Sequence, residues 1–138
     1  LKRKENQTYI ALVPRSAGRP STNWSEAKWV ELVRKFPQYN FVVLDGSTQP
    51  LLEVHDNYAG PRLYLEPNVI DMTGKTSTIK HAMAILRHCD ACVGVDTGIT
   101  QMSNAAQIPM ILLIGATAGW ARAPLQGKNR ILQGAAPC

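Results

Sequence analysis

Ala91-Cys-Val-Gly-Val-Asp-Thr-Gly98 decides how the rest of the chain is read. Its first five residues form an apolar run of strand length, and its last three are small or polar residues of the kind that open helices, so a buried strand runs directly into a helix. A small-residue helix from about Thr97 to Gln107 follows, and Met110-Ile-Leu-Leu-Ile114 is the next strand-like run. Reading outward, the alternation repeats. Val69-Ile-Asp-Met72 reads as a short strand, and Ile79, Met83 and Leu86 stripe a helix that opens near Ser77. Further upstream, Tyr9-Ile-Ala-Leu-Val13 stops at Pro14 and Phe41-Val-Val-Leu44 stops at Asp45-Gly46. Between them Trp29, Leu32, Val33 and Phe36 fall at i, i+3, i+4 and i+7, a single helical face, with Ser25 placed to start the helix and Pro37 to stop it. Gln49 to Pro67 carries three prolines and is left unassigned, although Leu63 and Leu65 suit an irregular strand; Arg130-Ile-Leu132 suits a late one.

Strands that alternate with helices predict an α/β fold, a Rossmann-like parallel sheet with helices on both faces, because parallel neighbours need a crossover and the crossover is usually helical. A chain of 138 residues is one such domain, residues 1–138. It begins at Leu1 without Met and shows no secretion-signal pattern, so the expectation is a piece of a longer protein. With 45% hydrophobic and 18% charged residues the composition is that of a globular protein, and no apolar run approaches the ~20 residues that cross a bilayer. Three cysteines form no even disulfide set, which agrees with a reducing, cytoplasmic setting. The net charge of +5 favours phosphate-bearing ligands. Lys2, Arg3 and Lys4 read as a solvated terminus, and the chain lacks the basic and aromatic interleaving of a nucleic-acid surface.

In a parallel sheet the segments after the strands gather along one crest, where ligands bind. Here they are Ser16-Ala-Gly18, Asp45-Gly-Ser47, Thr73-Gly-Lys75, Asp96-Thr-Gly98 and Gly115-Ala-Thr117, each combining a hydroxyl or carboxylate with a glycine. Such segments let a backbone approach a ligand closely and add hydrogen-bonding groups. Asp96-Thr-Gly98 is the strongest, since a strand entering a helix aims free N–H groups and the positive end of the helix dipole at the crest. Asp96 and Thr97 are also good caps, and an anionic Asp96 would cap rather than hold a phosphate. Gly74-Lys75-Thr76 resembles the end of a P-loop, but Val69 stands where that motif needs its first glycine. The aspartic-protease reading of Asp96-Thr-Gly98 fails because a helix follows at once. Cys89 and Cys92, with His88 and His81 nearby, have C-x-x-C spacing at a helix end, where the dipole does not lower a thiol pKa; they read as core thiols, and no metal site is expected.

Several of these segments taken in order carry a resemblance. Asp71-Met-Thr-Gly-Lys-Thr-Ser77, Val93-Gly-Val-Asp-Thr-Gly98, Asn104-Ala-Ala106, Ile108-Pro109 and Leu113-Ile-Gly-Ala-Thr117 resemble the C-terminal half of glycosyltransferase family 9, the heptosyltransferases of lipopolysaccharide assembly. The loop at Ser16-Ala-Gly18 with Trp24, and Pro137-Cys138, are similar to that family's corresponding segments. The resemblance implies a GT-B architecture of which this chain is the donor half, active only with an N-terminal acceptor domain. It implies a nucleotide-sugar ligand, typically ADP-heptose, with no cofactor or metal, and a glycan acceptor. It also implies a binding set of Ser16, Gly18, Arg19, Lys75, Thr76, Asp96, Thr97, Gly98 and Gln101, with Ser16 beside the phosphates, Lys75 and Thr76 near the base, and amides of Thr97 and Gly98 on the diphosphate. No catalytic residue falls in this chain. Two positions depart from the pattern: Thr22 replaces the lysine that balances diphosphate charge, and Gln101 replaces a histidine. Arg15 or Arg19 could supply the missing charge. The alternative is a degenerate domain that keeps the fold as a scaffold or protein-binding module. Separated from its other half, the domain is expected to expose apolar surface and to be prone to self-association.

Overall fold

The computed structural model describes residues 4–14, 24–45, 60, 62–76, 78–95, 97–114 and 129–133. In chain order its elements are β1 (Tyr9–Val13), α1 (Glu26–Lys35), β2 (Asn40–Val43), a 3-10 turn (Leu63–Leu65), β3 (Val69–Asp71), α2 (Ile79–Arg87), β4 (Ala91–Val95), α3 (Gly98–Ala105), β5 (Met110–Ile114) and β6 (Asn129–Gln133). The six strands form one sheet in the order β3-β2-β1-β4-β5-β6, and every pair is parallel. This is the doubly wound Rossmann order, in which the chain builds outward from β1 in one direction and then returns to build outward in the other.

The apolar runs become strands because both faces of a parallel sheet are covered, so alternate residues need no polar partner in water. On one face Leu12, Phe41, Val43 and Val95 pack against Trp29, Val30 and Val33 of α1 and against Leu63 of the 3-10 turn. On the other, Tyr9, Ala11, Val13, Val42, Leu44 and Cys92 pack against Leu86 of α2, with Ile99 and Met102 of α3 alongside. The strand at the centre, β1, contributes to both cores, and β2, β3 and β4 alternate between them as the pleat requires, while Met110, Leu112 and Ile114 of β5 form a third cluster with Ile131 of β6.

Local chemistry sets the helix ends. Ser25 caps α1 by accepting from the Lys28 amide, Glu26 lies in the first turn, and Arg34 and Lys35 lie in the last, which suits the helix dipole at both ends. The Asn68 side chain donates to the carbonyls of Val33, Phe36 and Tyr39 at 3.0, 3.3 and 3.3 Å and so closes the exit from α1. Glu26 ties this helix to the 3-10 turn: its Oε1 accepts from the Leu63 amide at 3.0 Å, and Arg34 pairs with Glu66 on the far side of the same turn. The buried face of α1 is Trp29, Val30 and Val33, whereas Phe36, expected on that face, is 38% exposed and stacks on Tyr39. Leu63 and Leu65 do not form a strand; three residues per turn bury Leu63 and leave Leu65 69% exposed. The remaining boundaries differ by a residue or two, with Thr78 capping α2, and β6 spans the expected late strand.

Two features hold β1 against β4. Asp90 makes a two-point clamp at the start of the pair, its carboxylate accepting from the Tyr9 amide at 2.9 Å and its own amide donating to the Tyr9 carbonyl at 2.7 Å. At the other end Val13 is registered with Gly94. A Cβ at Gly94 would lie 2.4 Å from Thr100 Oγ1 and 2.8 Å from Val13 Cβ, so the bare glycine is what lets α3 settle onto the β1–β4 pair. Gly94→Ala is expected to lower unfolding stability by ~1–3 kcal/mol, the usual range for overpacking a close-packed interior. A urea titration that shows no loss would contradict this packing.

Cys89 and Cys92 are buried thiols, as expected of core residues, and among the described residues no three His, Cys, Asp or Glu side chains converge to hold a metal. Nor, among those residues, is any helix long and apolar enough to cross a membrane. Burial pushes the Cys92 thiol up from 9.0 to about 12, against a lowering by its hydrogen bond with Ser103 and with a further rise from Cys89. Between these two values the unfolded chain binds fewer protons than the folded one, so the Cys92 contribution to stability is intact below pH 9 and declines as pH rises from about 9 towards 12. Urea midpoints at pH 8 and pH 10 should therefore fall less in Cys92→Ala than in the parent chain; an identical fall would rule out the buried neutral thiol.

Candidate functional site

The order of the strands locates the candidate site. Strands β1 and β4 are neighbours although Tyr9 and Asp90 at their starts stand 81 residues apart, and beyond their C-terminal ends the next helices lie on opposite faces, α1 on one and α3 on the other. Connections that part in this way open a crevice above the sheet, the place where doubly wound folds bind ligands. Thr97 and Gly98 stand on the β4 side of that crevice.

The start of α3 is built to leave donors unspent. Thr97 is in extended conformation (φ −140, ψ 168), and its hydroxyl caps the helix by accepting from the Thr100 amide at 3.3 Å. The Thr97 carbonyl accepts the first helical bond, from the Gln101 amide at 3.1 Å. The capping side chain is therefore that of Thr97; Asp96, weighed for the same role, lies outside the described residues. One hydroxyl satisfies one amide, so Gly98 and Ile99 present N–H groups with no acceptor among the described residues, at the positive end of an eight-residue helix.

Gly98 itself is informative for what does not constrain it. Its φ is not positive, and among the described residues a Cβ built on it meets nothing within 4 Å. Neither its backbone conformation nor packing among the described residues asks for glycine there, in contrast to Gly94. The open space faces the exposed end of α3, where a missing side chain lets a ligand reach the amides.

The other expected residues are distributed along the same crest or beyond the described part of it. Ser16, Gly18, Arg19 and Asp96 lie outside the described residues, as do Arg15 and Thr22. Lys75 is exposed and Thr76 half-buried, following β3 at the edge of the sheet, on the β2 side of the crevice. They are carried by a turn in which Asp71 Oδ1 accepts from the Thr73 amide at 2.9 Å, Lys75 N–H donates to the Met72 carbonyl at 3.0 Å, and Gly74 adopts φ 70. Gln101 is half-buried in the first turn of α3. The structure thus gathers Thr97, Gly98 and Gln101 at one point and sets Lys75 and Thr76 two strands away from β1. Two polar crest residues left out of the expected set, Asp45 and Thr73, are buried at 3% and 6% exposure past the ends of β2 and β3. Thr100 is a further omission: it is fully buried under the site, and its only sequence signal was its place three residues after the cap.

Comparison with known proteins places this geometry in context. Residues 2–138 match the family model of glycosyltransferase family 9 (heptosyltransferase). No curated protein sequence matches the chain. Among solved structures it is similar to a glycosyl transferase family 9 protein from Veillonella parvula DSM 2008, with a TM-score of 0.75, 19% identity, and 96% of this chain aligned on 36% of that one. It is equally similar in fold to E. coli ADP-heptose lps heptosyltransferase II, with a TM-score of 0.75, 19% identity, and coverage of 94% and 39%. The E. coli heptosyltransferase WaaC with ADP aligns at a TM-score of 0.65 and 18% identity, over 93% of this chain and 38% of that one. The chain therefore spans well under half the length of these structures. At such identities the structural likeness speaks for the fold, and the match that runs along the chain from residue 2 speaks for ancestry: this chain belongs to glycosyltransferase family 9.

Proposed function

We propose that the chain binds the nucleoside diphosphate end of a glycosyl donor along the crest of its sheet, with the diphosphate at the β1–β4 crevice, as the donor half of a transferase. The observation that carries this reading is that, among the described residues, the space at Gly98 is unfilled and the amides of Gly98 and Ile99 have no acceptor. An anion placed there gains charge-assisted hydrogen bonds from fixed backbone groups and the favourable end of a helix dipole, and it displaces no side chain. The net charge of +5 raises the local concentration of such ligands. Membership of the family, and a relative solved with ADP, support an adenine nucleotide and a heptose-like sugar. On the same reading Lys75 and Thr76 pass the base with their backbone, and Ser16, Gly18 and Arg19 complete the diphosphate cradle.

In the transfer, the bond between the sugar's anomeric carbon and the terminal phosphate oxygen breaks while an acceptor hydroxyl bonds to that carbon and gives up its proton. Negative charge grows on the departing diphosphate, where the amides of Gly98 and Ile99 stabilise it. On this reading no metal takes part, and Arg15 or Arg19 supplies the charge of the lysine replaced at Thr22. The base that receives the acceptor's proton belongs to an N-terminal half, so transfer to lipopolysaccharide or another glycan requires both halves.

Calorimetric titration of the chain with ADP, UDP and GDP tests the reading. Binding with a preference for ADP is expected, and silence across the series would overturn it in favour of a scaffold that has lost the ligand, the reading prompted by Thr22 and Gln101. Gly98→Ala separates site from fold: stability should stay within about 0.5 kcal/mol of the parent or rise, as at an unconstrained surface position, while ADP affinity drops several-fold, about 3-fold or more, because the methyl group crowds the amides. Unchanged affinity would remove Gly98 from the site.

A further inference from the structure

The face of the sheet that carries α1 is well covered on one side and thinly on the other. Leu12, Val93, Ile111 and Arg130 are register partners across β1, β4, β5 and β6, so their side chains stand on one face, with Leu113 and Leu132 paired further along it. Trp29, Val30 and Val33 of α1 bury this face at Leu12, Phe41 and Val43. Towards β6 the cover thins: Val93 and Leu113 are half-buried, Ile111 is 36% exposed and Leu132 57% exposed. On the opposite face of β5, Met110, Leu112 and Ile114 are all buried.

The thinly covered part forms a groove of about 620 Å³ along Ile10, Ala91, Val93, Ile111 and Arg130. It crosses the beginnings of β4, β5 and β6, at Ala91, Met110 and Asn129, and so lies at the end of the sheet away from the crest. Size, shape and charge each limit what fits there. Strands spaced ~4.8 Å apart put β4 and β6 ~10 Å from each other, about the width of one α-helix with its side chains. The seat of α1 shows that this face takes a helix laid on it by an apolar stripe. Arg130 is exposed on the β6 rim and enters none of the ion pairs of the described residues. A second copy of the chain would bring its own Arg130 and a further net charge of +5 to the contact. A carboxylate beside an apolar stripe complements both the groove and its rim.

We propose that this groove docks an amphipathic helix of a protein partner, its apolar stripe laid on Ile10, Val93, Ile111 and Leu132 and a flanking carboxylate paired with Arg130. Bare leucine and isoleucine side chains supply the attraction, and the one cation sets the sign of the partner. The proposal does not depend on the donor-binding reading, since the groove and the crest lie at opposite ends of the strands.

The test uses the chain and two synthetic amphipathic helices of about four turns, with the same leucine stripe at i, i+3, i+4 and i+7. One carries glutamates beside the stripe and the other lysines. In an amide NMR titration the glutamate helix should shift Ala91, Val93, Ile111 and Leu132, and bind about 3-fold or more tightly than the lysine helix. Arg130→Glu should weaken the glutamate helix and strengthen the lysine helix, which separates a local ion pair from the pull of the net charge. Ile111→Lys should abolish binding of both, with the urea midpoint recorded to show that the fold persists; Leu132→Ser should weaken both in the same sense. Binding of neither helix, shifts on another surface, or a glutamate-helix affinity indifferent to Arg130→Glu would overturn the proposal. Shifts at the same amides that grow with the concentration of the chain alone would assign the groove to a second copy and overturn it too.

Discussion

The approach of α3 to the β1–β4 pair depends on one absent methyl group. Gly94 gives up the volume into which Thr100 inserts its hydroxyl, and without that concession the first turn of the helix would stand off the sheet by the depth of a side chain. The depth matters because the crevice between diverging connections is only as useful as the groups that line it. A helix seated low brings its amides to the lip of the sheet, and a helix held high lifts them away from the β1 side. The clamp made by Asp90 on Tyr9 fixes the opposite end of the same strand pair, so the two central strands are held at both ends.

The contrast between Gly94 and Gly98 shows how differently one residue type can be used within a single turn of chain. The first glycine answers to the interior, where three atoms crowd the missing Cβ. The second meets nothing among the described residues, and it is exposed. Between them Thr97 caps the Thr100 amide and leaves those of Gly98 and Ile99 without an acceptor among the described residues.

Much of the fold was legible because the central strands of a parallel sheet are covered on both faces and leave continuous apolar runs in the sequence, as at Tyr9–Val13 and Ala91–Val95. Helices were legible where a stripe met a cap, as at Ser25 with Trp29 and Val33. The errors have physical causes. Leu63 and Leu65 alternate like a strand, yet the Glu26 and Glu66 contacts hold them in a 3-10 turn. Phe36 fits the helical period but falls at the frayed end of α1, so Val30 takes its place in the core. The helix start at Thr97 and Gly98, on which the proposed site is built, was legible because a small hydroxyl residue and a glycine follow an apolar strand. Thr100 was not, since a hydroxyl is buried only when tertiary packing gives it a partner, and that packing is supplied by Gly94 and Val13 from two different strands.

The central claim is that the start of α3 holds the diphosphate of a nucleotide donor. A crystal structure of the chain grown with ADP tests it most directly. The account predicts diphosphate oxygens within hydrogen-bonding distance of the Gly98 and Ile99 amides, at the mouth of the β1–β4 crevice. ADP bound elsewhere on the molecule, or those amides closed off by the chain's own side chains, would contradict it.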